Sequence, residues 1–172
     1  MNDWPSQSIG AGGVYSIKCY DADGNLRWEE NVHNLVTKQG IQDMNTKYFT
    51  AIGYTPANWY FGYIAASPTP TLSYDDTLAS HSGWTESTKS RRSYPAASVS
   101  ITSGAGTSYA AFYYYSLYFG SFFGTSIAGI FLTNVSSGTS GVLLSEALFS
   151  TTRTLYDDDT LNIEYKFYIS AV

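Results

Sequence analysis

The clearest pattern of apolar and polar residues lies near the C-terminal end of the chain. Within residues 160–170 every second residue is apolar, and the residues between them are polar or amphipathic. This alternation predicts a β-strand with one buried face and one face in water. A similar alternation in residues 14–20 and 26–32, on either side of the turn-forming residues 21–25, predicts a β-hairpin.

One short helix is predicted after this hairpin. Apolar residues recur there at intervals of three and four, which is the spacing of one helix face. They are Ile41, Met44, Tyr48 and Ile52. Thr37 or Lys38 lies near the predicted start, and Gly53 and Pro56 are expected to end the helix.

Further apolar and aromatic runs predict the other strands, at residues 59–64, 97–102, 109–119, 127–134 and 142–149. Residues 67–86 are rich in Pro, Ser and Asp, which favours an irregular surface loop. About eight strands and one helix in a single domain predict an all-β fold, an antiparallel β-sandwich similar to a jelly roll. Residues 1–12 are expected to form a flexible N-terminal arm.

The strand predicted at residues 109–119 is apolar on both faces, whereas a strand of a two-layer sandwich normally has one polar face. Either the strand is central and covered on both sides, or its outer face contacts another chain. Tyrosine suits the second explanation, because it is enriched at protein interfaces. We therefore take Phe112, Tyr114 and Tyr118 as candidate interface residues.

Charge and composition exclude several classes of protein. The 172 residues include 9 Lys and Arg against 14 Asp and Glu, a net charge of −5, and 17% are aromatic. A nucleic-acid partner is not expected, because phosphate binding requires cations. Disorder is not expected either, since disordered chains lack apolar surface. Residues 93–145 carry no charge, yet Gly and Ser interrupt them and no basic residues flank them, so we expect no membrane span.

Cysteine content and the first residues bear on where the protein is made. Cys19 is the single cysteine, so no intrachain disulfide is possible, and a buried free thiol is expected. Residues 1–5 lack the basic and apolar segments of a signal peptide. We therefore expect synthesis in a cytoplasm without export by the secretory route.

Two acidic segments are candidate cation sites. Residues 21–25 begin like a calcium loop, but Leu26 and Val32 stand where Gly and a bidentate Glu are needed, which favours a hairpin turn. Asp157, Asp158 and Asp159 could together hold a hard cation, although such a run is more often a solvated turn. Neither segment leads us to expect a metal or a cofactor.

Catalytic patterns are weak. His81 lies between Ser80 and Ser82, but adjacency in sequence does not give the geometry of a Ser–His pair. Five glutamates are candidate carboxylates for glycoside hydrolysis. They are Glu29, Glu30, Glu86, Glu146 and Glu164. Solvated side chains explain Glu29 and Glu164 better, so we expect no catalytic residues and no enzyme.

Five stretches of the chain together resemble a known family. They are residues 34–41 (NLVTKQGI), 59–64 (WYFGYI), 76–86 (DTLASHSGWTE), 127–132 (IAGIFL) and 158–161 (DDTL). Their order resembles small structural proteins of tailed bacteriophages, which include capsid decoration, cement and head-fibre proteins. The resemblance covers roughly residues 32–170, and residues 76–86 are its most specific part. The N-terminal hairpin is less typical and is a candidate attachment element of this chain.

The resemblance implies a non-enzymatic virion protein that is assembled in the host cytoplasm and reinforces the outer capsid surface. Expected partners are the major capsid protein or another virion protein, together with further copies in a dimer or trimer. Besides the aromatic strand, we expect contacts from Trp84, from the cationic pair Arg91 and Arg92, and from Trp4 in the arm. Alternatives are a neck, tail or fibre component, or, from another class, a carbohydrate-binding module.

Overall fold

The computed structural model describes residues 9–50, 58–94, 99–104, 107–118 and 124–171. These residues form ten strands and one helix. The strands are β1 (Ile9–Tyr20), β2 (Leu26–His33), β3 (Leu35–Val36), β4 (Trp59–Ala65), β5 (Arg92–Tyr94), β6 (Val99–Gly104), β7 (Thr107–Tyr118), β8 (Thr125–Thr133), β9 (Leu143–Leu155) and β10 (Thr160–Ala171). The helix is α1 (Lys38–Thr50), between β3 and β4.

The strands form two antiparallel sheets of five strands each. Sheet A has the order β2-β1-β10-β7-β6, and sheet B has the order β3-β9-β8-β4-β5. Their inner faces share one apolar core, in which Tyr15 and Tyr165 of sheet A stack at a ring distance of 4.3 Å and Phe61 of sheet B packs edge-on against Tyr15. The predicted all-β sandwich with one short helix is confirmed.

The ten strands include two that the sequence pattern does not predict. β3 has two residues and β5 has three, and both lie at edges of sheet B. So short a strand contains no full period of alternation, and each of these forms because a longer neighbour offers it backbone partners.

The start of β1 corrects the prediction for the N-terminal arm, residues 1–12. β1 begins at Ile9, and Ile9 to Gly12 pair with β10. Glycine is a weak strand former, so this segment did not look like a strand. The tertiary structure explains it: a Cβ on Gly12 would lie 2.8 Å from the Tyr168 hydroxyl, so glycine leaves room for that ring. Residues 1–8 lie outside the described part.

The helix starts where its sequence predicts. The Thr37 side-chain oxygen accepts a hydrogen bond from the Gly40 amide at 3.1 Å, which caps the first turn. The same hydroxyl donates to the Leu143 carbonyl of β9. Ile41 and Met44 pack against the core, as the spacing indicated. The cap therefore also joins the helix to sheet B.

Residues 66–91, which connect β4 to β5, form a cover segment over the outer face of sheet B. Leu78 and Trp84 of this segment pack with Ile64, Phe131 and Leu143 of the sheet in a second apolar cluster. The segment is irregular as predicted, but part of it is interior, because apolar side chains stand on both faces of β4 and β8. Sheet B is thus covered on both sides.

Candidate functional site

The cover segment meets sheet B at a pair of buried carboxyl groups. Glu146 of β9 has no exposed surface, and Asp76 of the cover segment is 6% exposed. The Trp84 indole N–H donates to both, at 2.9 Å to Glu146 and 3.2 Å to Asp76. The Ser73 amide also contacts both, at 3.2 Å and 3.0 Å. Four polar groups therefore close one compact cluster.

The environment of this cluster favours a neutral acid. Burial, followed by the charge of Asp76, raises the pKa of Glu146 to about 8, although the hydrogen bond from Trp84 acts in the opposite direction. The two carboxyl groups share the Trp84 and Ser73 donors, so they lie close enough for like charges on both to repel. Our sequence reasoning missed this pair. The available signal was Glu146 itself, a charged residue inside the apolar run of residues 142–149.

Trp84, which we expected to contact a partner, is 2% exposed. Its ring stacks on His81 at 3.8 Å between centroids, and the His81 Nδ1 lies 3.0 Å from the Trp84 carbonyl oxygen. The apolar face of sheet B draws the indole inward, so this side chain has almost no surface for another molecule. The predicted contact role does not fit this placement.

The cationic pair is divided between interior and surface. Arg91 is 8% exposed, and its guanidinium donates to both carboxylate oxygens of Glu86 at 2.8 Å and 2.7 Å. It also lies over the ring of Phe131. Arg92, in β5, is exposed. Arg91 therefore secures the end of the cover segment, and only Arg92 of the pair has surface to offer to a partner.

The outer face of sheet A differs from that of sheet B. On its described strands β1, β2 and β10, the outward-facing side chains are exposed or half-buried. Two exposed ion pairs, Lys18–Glu29 at 3.2 Å and Lys166–Glu164 at 3.1 Å, balance its charge. The other side chains on this face are polar or half-buried. They include Val14, Ser16, Asn31, His33, Asn162 and Tyr168. On these strands the face is open, and the charges of its two ion pairs sum to zero.

The aromatic strand lies in this sheet. β7 pairs with β10 on one side and β6 on the other, and the register places Phe112 opposite Tyr165 and Tyr114 opposite Ile163. Tyr118 stands opposite Thr160. The backbone of β7 is described, but the side chains of these three candidate residues lie outside the description. Trp4 lies wholly outside the described residues.

The five candidate glutamates each have a structural partner. Glu29, Glu86, Glu146 and Glu164 are in the pairs described above. Glu30 binds the Arg153 guanidinium at 2.8 Å and accepts a hydrogen bond from the Ser150 amide, which ties β2 of sheet A to β9 of sheet B. Burial alone would raise the pKa of Glu30, but these two partners outweigh it and hold the pKa below its usual value.

The two acidic segments meet at one end of the sandwich. Asp21 accepts hydrogen bonds from the amides of Asp23 and Asn25, which fixes the predicted hairpin turn. Asp159 turns inward and binds Arg27 at 2.8 Å. Among the described residues, no three metal-ligating side chains lie close enough together to hold an ion.

Between these turns lies an open concavity of about 580 Å³. Its lining combines tyrosine, acidic and amide side chains: Tyr20, Asp21, Ala22, Gly24, Asp158, Thr160 and Asn162. Cys19 lies beneath this end as the buried free thiol that was predicted, and burial followed by the charge of Asp159 raises its pKa to about 12. The concavity is a candidate small-ligand site.

Comparison of the chain with known protein families, curated protein sequences and solved structures finds no match. Within the described residues, no helix is both long enough and apolar enough to cross a membrane.

Proposed function

We propose that this chain is a non-enzymatic bacteriophage virion protein, a decoration or cement protein that binds the outer capsid surface and stabilises it. It self-associates as a dimer or trimer that matches capsid symmetry. Binding only to the assembled shell stabilises that state by mass action. A neck, tail or fibre position is the alternative within the same class.

The observation that carries the proposal is the open outer face of sheet A. A sandwich of this size can cover a sheet with its own chain, as residues 66–91 do on sheet B. Sheet A keeps a broad face on which two ion pairs balance the charge. The other two strands of this sheet, β6 and β7, contain no charged residue and β7 is rich in tyrosine, which suits the core of a protein interface, where charged residues are depleted.

The positions of the family-like stretches support the same assignment. Residues 34–41, 59–64, 76–86 and 127–132 all belong to sheet B, its cover segment or the adjoining helix, whereas residues 158–161 lead into β10 of sheet A. The hairpin β1–β2, which lies outside most of the resemblance, belongs to sheet A. Within sheet A, this hairpin is therefore the part in which attachment to a particular capsid would vary.

Mass spectrometry of purified particles of the phage that encodes this chain tests the proposal. A copy number comparable to that of the major capsid protein is expected of a decoration protein. A copy number matching a single ring would instead favour the neck or tail alternative. Absence of the chain from the particle would contradict both.

A capsid-binding assay with two matched variants tests whether the outer face of sheet A binds the capsid. Asn31→Arg places a long cation on the outer face of sheet A, where Asn31 is exposed, and should weaken binding. Thr69→Arg makes the same change in charge at an exposed position of the cover segment and should leave binding unchanged. Equal binding by Asn31→Arg and the wild type would remove sheet A from the proposal.

Carbohydrate binding is a second candidate function, and the concavity between the two acidic turns favours it. Tyrosine, carboxylate and amide side chains there could stack on a sugar ring and bind its hydroxyls. A glycan array gives the test: binding that is lost in Asp158→Asn would support it. Asn tolerates the positive φ of 65° at this position, so the turn should persist in the variant.

A further inference from the structure

The cover segment is attached to sheet B through two acids that have no cation beside them. Among the described residues, none of the ion pairs includes Asp76 or Glu146. Their partners are neutral donors, the indole N–H of Trp84 and the amide of Ser73. Buried carboxylates are usually paired with a cation, so this arrangement needs another source of neutrality.

The positions of the two acids show how the pair can lose charge without a cation. One oxygen of each acid lies within 3.2 Å of the same indole nitrogen, and both acids also contact the Ser73 amide. Two carboxyl groups that share donors in a site closed to water do not both ionise, because the like charges repel strongly there. We propose that Asp76 and Glu146 share one proton, which fastens the cover segment to sheet B at acidic pH and lets it open as the pH rises.

Few other charged groups surround this pair. In the cover segment, His81 stacks on Trp84, and Arg91 is bound to Glu86. Lys38 of the helix pairs with Asp75, which is exposed. From sheet A, the Tyr15 hydroxyl hydrogen-bonds to Ser145, the residue before Glu146 in β9. None of these is a hydrogen-bonded counter-ion of Asp76 or Glu146, so the shared proton is the means of neutralising the pair.

The expected direction of the pH dependence of opening follows from the pKa of Glu146. Burial raises that pKa to about 8, from 4.5 for the free side chain. The closed state keeps the proton over this range and the open state loses it. Opening should therefore be least favourable below about pH 4.5, increase by up to tenfold per pH unit above that, and level off above about pH 8.

Hydrogen exchange measured by mass spectrometry between pH 5 and 9 tests this, after correction for the pH dependence of intrinsic amide exchange. Protection of peptides from residues 72–84 should fall with pH and then become constant. Peptides from β1 and β10 should keep their protection. If protection in the cover segment does not change with pH, or if β1 and β10 lose protection in parallel with it, the proposal is wrong.

Substitutions of single residues identify the carboxyl groups that cause the pH dependence. Glu146→Gln imitates the neutral acid and should abolish the pH dependence of protection. Asp76→Asn should weaken that dependence. Asp76→Asn also serves as the test if Glu146→Gln does not fold. Asp75→Asn, at the neighbouring exposed carboxylate, and His81→Asn, beside Trp84, should keep the wild-type dependence. An unchanged profile in Glu146→Gln or in Asp76→Asn would overturn the proposal.

Infrared spectroscopy gives a direct signature. The wild-type protein at neutral pH should show the carbonyl band of one protonated carboxylic acid, which disappears at alkaline pH and is missing in Glu146→Gln. A wild-type spectrum without that band at neutral pH would contradict a shared proton even if the exchange profile depended on pH.

Discussion

The two sheets differ in what covers their outer faces. Every residue of β8 from Ile127 to Thr133 is buried, because sheet B lies between the central core and the cover segment. In β10 of sheet A, buried and partly exposed residues alternate from Leu161 to Tyr168. Sheet B is therefore buried on both faces, whereas sheet A is buried on its inner face and open on the outer face of its described strands.

This difference shows how a neutral, aromatic stretch is to be interpreted. Apolar residues on both faces of β8 indicate a layer that needs two covers, and the chain provides both. β7 has the same kind of sequence, but it lies in sheet A, whose outward-facing side chains on β1, β2 and β10 are exposed or half-buried. A cover of β7 by another chain is the arrangement that the proposed function requires.

The largest expected effect is on the cover of sheet B. Trp84→Ala removes the main apolar side chain of the cover segment and the donor shared by Asp76 and Glu146. We expect the free energy of unfolding in urea to fall by about 3–5 kcal/mol. Tyr168→Ala on the open face of sheet A should cost far less, since that ring is half-exposed. Equal losses would mean that the two faces are equivalent.

Breaking an ion pair should likewise cost more stability at the cover of sheet B than on the outer face of sheet A. Arg91→Ala leaves Glu86 without its partner at the edge of the cover, and we expect a loss of about 2–3 kcal/mol by chemical denaturation. Lys166→Ala removes one partner of an exposed pair, and the expected loss is below about 0.5 kcal/mol. A large effect of Lys166→Ala would show that the outer face of sheet A is dry and covered.

Glycine substitutions compare the space above the two faces. A Cβ at Gly62 would overlap the ring of Phe131, which is fully buried under the cover segment, so Gly62→Ala should destabilise by about 1–3 kcal/mol. A Cβ at Gly12 meets the end of the Tyr168 side chain, which can turn outward. Gly12→Ala should therefore remain within about 0.5 kcal/mol of the wild type in thermal unfolding.

A further expected effect concerns the contact between the two sheets. Because the folded protein lowers the pKa of Glu30, the stability that this group provides is present at neutral pH and is lost as the pH falls below about 4.5. Glu30→Gln should lower stability at pH 7 by about 1 kcal/mol and have less effect at pH 3. Denaturation of both proteins at the two pH values checks this, and an equal difference at both would refute it.

Much of the fold could be predicted from the sequence where local signals are strong. The alternation in β10, the turn held by Asp21 and the helix capped by Thr37 all depend on neighbours in the chain. Local signals did not predict β3 and β5, which are too short, or Ile9 to Gly12, where glycines suggested a flexible arm. Those segments become strands through hydrogen bonds to distant partners.

The candidate site was less accessible than the fold. Trp84 was selected as part of a predicted surface loop and Arg91 as half of a cationic pair, yet both pack inward. Asp76 and Glu146 are 70 residues apart in the chain and meet only when the cover segment folds back on sheet B. Nothing in the sequence near either acid indicates the other.

Local sequence patterns are enough to predict the class of fold, the start of the helix, the long strands and the neutral, aromatic character of the middle of the chain. Those properties follow from side-chain periodicity, capping and turn chemistry, which act over a few residues. The tertiary structure decided which apolar face the chain covers itself, which face stays open, and which two acids meet without a cation. These depend on contacts between residues far apart in the chain, and a local pattern carries no record of them.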